Sequence, residues 1–194
     1  MAEIYNCIES FVQLLNIRYE FIIGRKGVTL SIPLCFDKKS FSHLLGLQHI
    51  RDRLELPKNS VLLFNKLLKR EIKEEYITSS ADFPKIEKRI HFLKHLEYIL
   101  DDNRTVFKYN EHRTQSFSSI QAEFLLKNTI EQTNVFLFLD QNENGNYFCR
   151  SFFPEEKLDY TKGQTSWTLL CKRKTFIKEN RTETLYSRIS GSIQ

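Results

Sequence analysis

Near residue 105 the spacing of apolar side chains changes from a repeat of roughly 3.6 residues to a repeat of 2. A chain with that switch builds most of its helices first and most of its sheet second. Ahead of the switch, Ile4, Ile8, Phe11 and Leu15 line one face of a helix over residues 4–15. Residues 19–23 and 28–34 read as strands joined at Gly24-Arg25-Lys26-Gly27, a hairpin. Pro33 cannot donate to a ladder, so the second strand ends there or lies on an edge. A short helix then ends near Gly46. Pro57-Lys58-Asn59-Ser60 opens another, running through Val61, Phe64 and Leu68 to about Ile72. A third follows Asp82 as N-cap, with Pro84 in its first turn. Its apolar face is Phe83, Ile86, Ile90 and Leu93, continuing towards Ile99 and Leu100. Beyond the switch, residues 105–109, 118–127, 134–140, 147–153 and 166–177 read as strands, with a hairpin turn at Asn142-Glu143-Asn144-Gly145-Asn146.

This order predicts an α+β fold with an N-terminal helix and hairpin, a helical middle and a C-terminal antiparallel meander sheet. Residues 1–177 are expected to form one domain, and residues 178–194 a polar C-terminal tail. The 194 residues are 41% hydrophobic and 27% charged, which excludes bulk disorder. Sixteen Phe against six Gly suggest an aromatic core and argue against a nucleotide-binding fold built on Gly-rich loops. A net charge of +5 and a pI near 9.0 permit a polyanionic partner without requiring one. Without an apolar run of membrane-span length or a signal-peptide pattern, the chain reads as soluble and cytoplasmic, with no membrane partner. Cys7, Cys35, Cys149 and Cys171 are widely spaced, so reduced and mostly buried thiols are expected.

Phosphate-binding, nucleophile-elbow, zinc-protease and EF-hand motifs are all absent. His43 sits shortly after Lys38 and Lys39. Histidine exchanges a proton near neutral pH, so at a basic cleft His43 would serve as general acid or base. Its plain alternative is a helix histidine bonded to a carbonyl. Glu87, His91 and His95 recur at four-residue spacing, but a solvated helix face explains them better than a metal site. In the segment 160–174, strand alternation puts Trp167, Leu169 and Cys171 on one face and Ser166, Thr168, Lys172 and Lys174 on the other. The second set could hold a phosphodiester, or could be lysines guarding an edge strand. Arg150 and Ser151 fall on opposite faces of the neighbouring strand, and alternation leaves open which of them shares the polar face. Gln121 and Glu123 share a face of an earlier strand.

Phe41-Ser42-His43-Leu44-Leu45-Gly46-Leu47, followed by the helix after residue 60, resembles the F-x-H-L-x-G-[LV] signature of the phage Barnase–EndoU–colicin–RelE-like nuclease family. Tyr160, Gln164 and Trp167-Thr168-Leu169-Leu170 resemble that family's final strand, so the likeness covers about residues 19–175. The resemblance implies a metal-independent RNase fold, with a four-stranded antiparallel sheet bearing the site and no cofactor. His43 matches the family histidine, and Tyr160 and Gln164 match its late polar positions. Lys172 joins them from strand parity alone. The expectation is RNA cleavage by attack of a ribose 2′-OH on the adjacent phosphate. His43 would be the acid or base, Lys172 would stabilise the phosphorane, and Gln164 or Tyr160 would assist. Lys39, Arg150, Ser166 and Thr168 would bind substrate. The setting would be a toxin or conflict effector of phage or mobile-element origin, with RNA, and a cognate inhibitor or host protein, as partners. The competing expectation is a non-catalytic module that holds nucleic acid or protein on the same basic face. Convergence of His43, Tyr160, Gln164 and Lys172 in one cleft would favour the enzyme.

Overall fold

A computed structural model describes residues 3–114 and 120–188. Helix α1 (Ile4–Leu14) leads into the hairpin β1 (Ile17–Arg25) and β2 (Val28–Cys35). Five helices follow: α2 (Lys38–Leu45), α3 (Ser60–Leu68), α4 (Glu74–Thr78), α5 (Pro84–Leu93) and α6 (Leu96–Asp102). Strands β3 (Thr105–Lys108), β4 (Phe124–Ile130), β5 (Thr133–Gln141), β6 (Tyr147–Pro154), β7 (Thr165–Phe176) and β8 (Arg181–Ser187) complete the chain. The class is α+β, as expected.

The sheet is not an open meander. Its strands run β1-β2-β6-β5-β4-β3-β7, and β7 returns to pair with β1, closing a mixed barrel with β8 added along β7. One parallel bridge, Leu34 to Tyr147, joins β2 to β6, while the other pairings are antiparallel. The meander expectation missed this because hairpin β1–β2, read as a separate unit, supplies the closing strand. β2 continues past Pro33 and touches β6 at that single bridge, so the proline does lie on a nearly free edge. The residues expected as a polar tail include β8.

One face of the sheet covers the helices. Tyr19, Phe21 and Ile23 of β1, Leu126 of β4, and Leu137 and Leu139 of β5 are buried in one cluster with Ile8, Phe11, Leu44, Ile90 and Ile99 from the helices. Phe11 meets Phe36, Phe41 and Phe64 edge-on at centroid distances of 5.8, 5.2 and 6.2 Å, which accounts for part of the phenylalanine excess. The opposite sheet face carries a smaller aromatic cluster of Tyr109, Phe136 and Phe138, with Phe153 and Tyr160 against it. β5 is therefore buried on both faces, and its run Val135-Phe136-Leu137-Phe138-Leu139 is apolar throughout.

Several local boundaries move. The helix expected from 83 to 100 is two helices, broken at Lys94 and His95. Asp82 does not cap α5, because Phe83 occupies that position while the Asp82 carboxylate accepts the Arg51 backbone N–H at 2.9 Å. α3 stops at Leu68, and Arg70 turns the chain with φ of +58°. The strand expected over 118–127 begins at Phe124, and its positions 118–119 lie outside the described residues. The β5–β6 hairpin forms as expected. Gly145 takes a positive φ of +79°, and the Asn142 side chain accepts the N–H groups of Asn144 and Asn146 at 3.0 Å each.

Among the described residues the sheet has three register shifts; one leaves Leu185 of β8 extra, and the other two redirect candidate side chains. In β7, Ile23 faces Leu169 while Ile22 faces Cys171, so Leu170 is an extra residue. In β6, Leu139 faces Cys149 while Phe138 faces Ser151, so Arg150 is extra. An extra residue reverses strand parity beyond it.

Candidate active site

Helix α2 displays His43 on the face that its buried residues leave open. The Asp37 side chain caps its start by accepting the Ser40 N–H at 2.9 Å, and Phe41, Leu44 and Leu45 face inward. Gly46 ends it in the left-handed region with φ of +88°, where a side chain would be strained. His43 is left on the exposed face, looking towards β6.

There a cavity of about 630 Å³ opens between α2 and the outer sheet surface. Lys39, Ser40 and His43 line it from the helix, Arg150 and Ser151 from β6, and Gln121 from the segment before β4. The β6 bulge settles the choice that alternation left open, since it brings both Arg150 and Ser151 to the cavity. Arg150 is held by Asp140, 3.0 Å away across the hairpin. Burial first, then the charges of Arg89, Arg150 and His49, hold His43 below the ordinary histidine pKa, so its neutral form prevails near pH 7.

Lys39, His43 and Arg150 line this one cavity, but Tyr160, Gln164 and Lys172 do not meet His43 in it, so the expected convergence of those four does not occur. Parity reverses at Leu170, so Lys172 points to the helical side of the sheet and is 1% exposed. Its ammonium donates to the carbonyl oxygens of Leu100, Asp101 and Asn103 at 2.7, 2.5 and 2.7 Å, closing the end of α6. Burial pushes its pKa down to about 8, against the pull of Asp101. Lys174 follows the same parity and meets Glu97 and Asp101 at 2.7 Å each. Cys171, expected inward with Trp167 and Leu169, falls on the other face. Leu169 is buried, and Trp167 is half-buried against the main core.

Gln164 is a clamp. Its amide exchanges hydrogen bonds with the Asn110 backbone, accepting at 2.8 Å and donating at 3.0 Å. Ser166 and Thr168 lie exposed on β7 opposite Phe107 and Thr105, and line no part of the cavity. Tyr160 lies against Phe136, Phe138 and Phe153 and lines a neighbouring cavity of about 360 Å³. Arg89 lines that second cavity too, its guanidinium 5.7 Å above the Phe153 ring. Nothing in the sequence singled out Arg89, which is one polar residue among several on α5. His91 reaches Glu131 at 2.9 Å, and no group of three or more potential metal ligands occurs among the described residues. The four cysteines are free, and burial pushes the Cys7 and Cys149 thiols up to about 12.

A family model, described as phage-Barnase-EndoU-ColicinE5/D-RelE like nuclease4, matches residues 3–188. The chain belongs to this nuclease-like family. The match runs from the first turn of α1 to the end of β8, so in this BECR-type chain it takes in the closed barrel, α2 and both cavities. No curated protein and no solved structure matches the chain. Among the described residues, no helix of this nuclease-family chain is long and apolar enough to cross a membrane.

Proposed function

We propose that the chain is an endoribonuclease that cuts RNA without a metal ion, and that its site is the cavity between α2 and β6. The observation that carries this reading is the meeting of a largely neutral His43 with Arg150 and Lys39 around one cavity. In the proposed reaction the neutral imidazole of His43 takes the proton of a ribose 2′-OH. The 2′ oxygen bonds to phosphorus, the bond to the 5′ oxygen breaks, and that oxygen takes a proton from solvent. The products are a 2′,3′-cyclic phosphate and a 5′-hydroxyl. Arg150, oriented by Asp140, faces the charge that develops on the phosphorane, and Lys39 and the Ser151 hydroxyl hold its oxygens. The biological setting we propose is a toxin or conflict effector of phage or mobile-element origin.

Incubating the purified protein with single-stranded RNA in excess EDTA tests the reading. RNA should be cut and the DNA analogue left intact, because DNA lacks the 2′-OH. His43→Ala should lower the rate by roughly two to four orders of magnitude while the protein stays folded. Cleavage that needs added magnesium would reject the mechanism. Salt-sensitive RNA association without cleavage would replace the enzyme with a binding module.

A further inference from the structure

Arg89 is half-buried, yet its guanidinium makes no hydrogen bond or ion pair among the described residues. An arginine withdrawn from water normally has its donors answered by a carboxylate or by carbonyls. Here the Phe153 ring lies beneath it, and the Glu156 carboxylate lining the same cavity attracts it without pairing with it. Its position is fixed by packing: a Cβ added at Gly46 would stand 3.2 Å from one terminal nitrogen of the guanidinium. That places it beside the last turn of the helix bearing His43, and its charge acts on His43 directly.

The cavity on its other side is firmly built. Phe153 and Tyr160 form a wall, with ring centroids 5.2 Å apart. Asp159 fixes the loop by accepting the Thr161 N–H at 2.9 Å and its hydroxyl at 2.6 Å, and it also meets Lys127 at 3.3 Å. Lys88 ties α5 to the start of that loop through the Glu155 carbonyl at 3.3 Å. The Tyr160 hydroxyl has no hydrogen-bond partner among the described residues. Phe153, which lines the second cavity, lies two residues beyond Ser151, which lines the first, about 7 Å along β6.

We propose that the second cavity is a nucleobase subsite. A base rests against Phe153 and Tyr160, and Arg89 holds the phosphate between this subsite and the His43 cavity. This rests on the ribonuclease reading and assigns its substrate a base as well as a phosphate. Aromatic walls accept any base by stacking, and an arginine at their margin suits the backbone that carries it.

Calorimetric titration with inorganic phosphate and with each of the four nucleoside 3′-monophosphates tests the subsite. At least one nucleotide should bind about tenfold or more tightly than phosphate, the gain expected from one stacked base. Tyr160→Ala should abolish that excess and leave phosphate affinity unchanged. Tyr160→Phe should keep it, because the ring and not the hydroxyl makes the contact. Arg89→Gln should weaken nucleotide binding. In unmutated protein, the fluorescence of 2-aminopurine riboside 3′-phosphate should be quenched on binding, which serves if Tyr160→Ala does not fold. Equal affinity for phosphate and all four nucleotides, absence of quenching, or an excess that survives Tyr160→Ala would overturn the subsite. The two readings fail separately. Base-dependent affinity without RNA cleavage sinks the ribonuclease alone, and cleavage without base-dependent affinity sinks the subsite alone.

Discussion

The Lys172 ammonium lies 2.7 Å from the carbonyl oxygen of Leu100, a residue 72 positions earlier. With Asp101 and Asn103 as its other acceptors, all three of its donors are used. The last carbonyls of a helix lack partners within the helix, so this lysine completes α6 from the far half of the chain. Tyr19 adds to the same buried knot, donating to Asp101 at 2.6 Å.

Lys172→Met should therefore be a stability variant. It leaves buried carbonyls unanswered, and the expected loss is about 3 kcal/mol or more. Chemical denaturation measures it. Cleavage per folded molecule should be unchanged, and a selective loss of rate at full stability would return Lys172 to the site.

The rate of RNA cleavage should rise with pH and level off. The active base is neutral imidazole, and burial together with Arg89 and Arg150 disfavours the imidazolium. The inflection should therefore lie below the ordinary histidine value of 6.5. Arg89→Gln or Arg150→Gln removes a cation and should move it upward. A profile that falls through this range would make protonated His43 the working form.

Gly46→Ala should damage fold and site together. The new methyl would sit 2.9 Å from Ile86 and 3.2 Å from the Arg89 guanidinium, at a φ of +88°. We expect a cost of about 2 kcal/mol, from left-handed strain and crowding. Nucleotide affinity should fall as well, because Arg89 must move. Thermal unfolding and titration of the same sample separate the two effects.

Gln164→Ala should cost about 1 to 2 kcal/mol for two lost hydrogen bonds to Asn110. Cleavage should change little once the folded fraction is matched. A fall of several orders of magnitude in the folded variant would restore a role in the reaction.

How far the sequence could be read depends on where alternation held. Trp167 and Leu169 share a face as parity requires, and alternation breaks one residue later because Leu170 is extra. The expected role of Lys172 in the chemistry rests on that broken parity. The Arg150 bulge is hidden in the same way, and it resolved a choice between Arg150 and Ser151 that regular alternation could not. Bulges are set by what crosses the ladder, here the neighbouring strands β1 and β5, and leave no local mark in the chain. The segment from Phe41 to Leu47 was legible because its signals are local: a short motif and a glycine that ends the helix. Arg89 was illegible for the opposite reason. Its place beside Gly46 and Phe153 exists only once α5 has docked on β6.

The seam between β1 and β7 has a consequence for the order of folding. Glu20 and Arg173, which meet across it at 3.3 Å, lie 153 positions apart. Contacts that distant must overcome loop-closure entropy before they return anything, so closure is expected to be slow and late. Until it happens, β1 has β2 on one side and an unpaired edge on the other. Such an edge invites strands from other molecules, so in a concentrated refolding mixture the first hairpin is where chains would tangle.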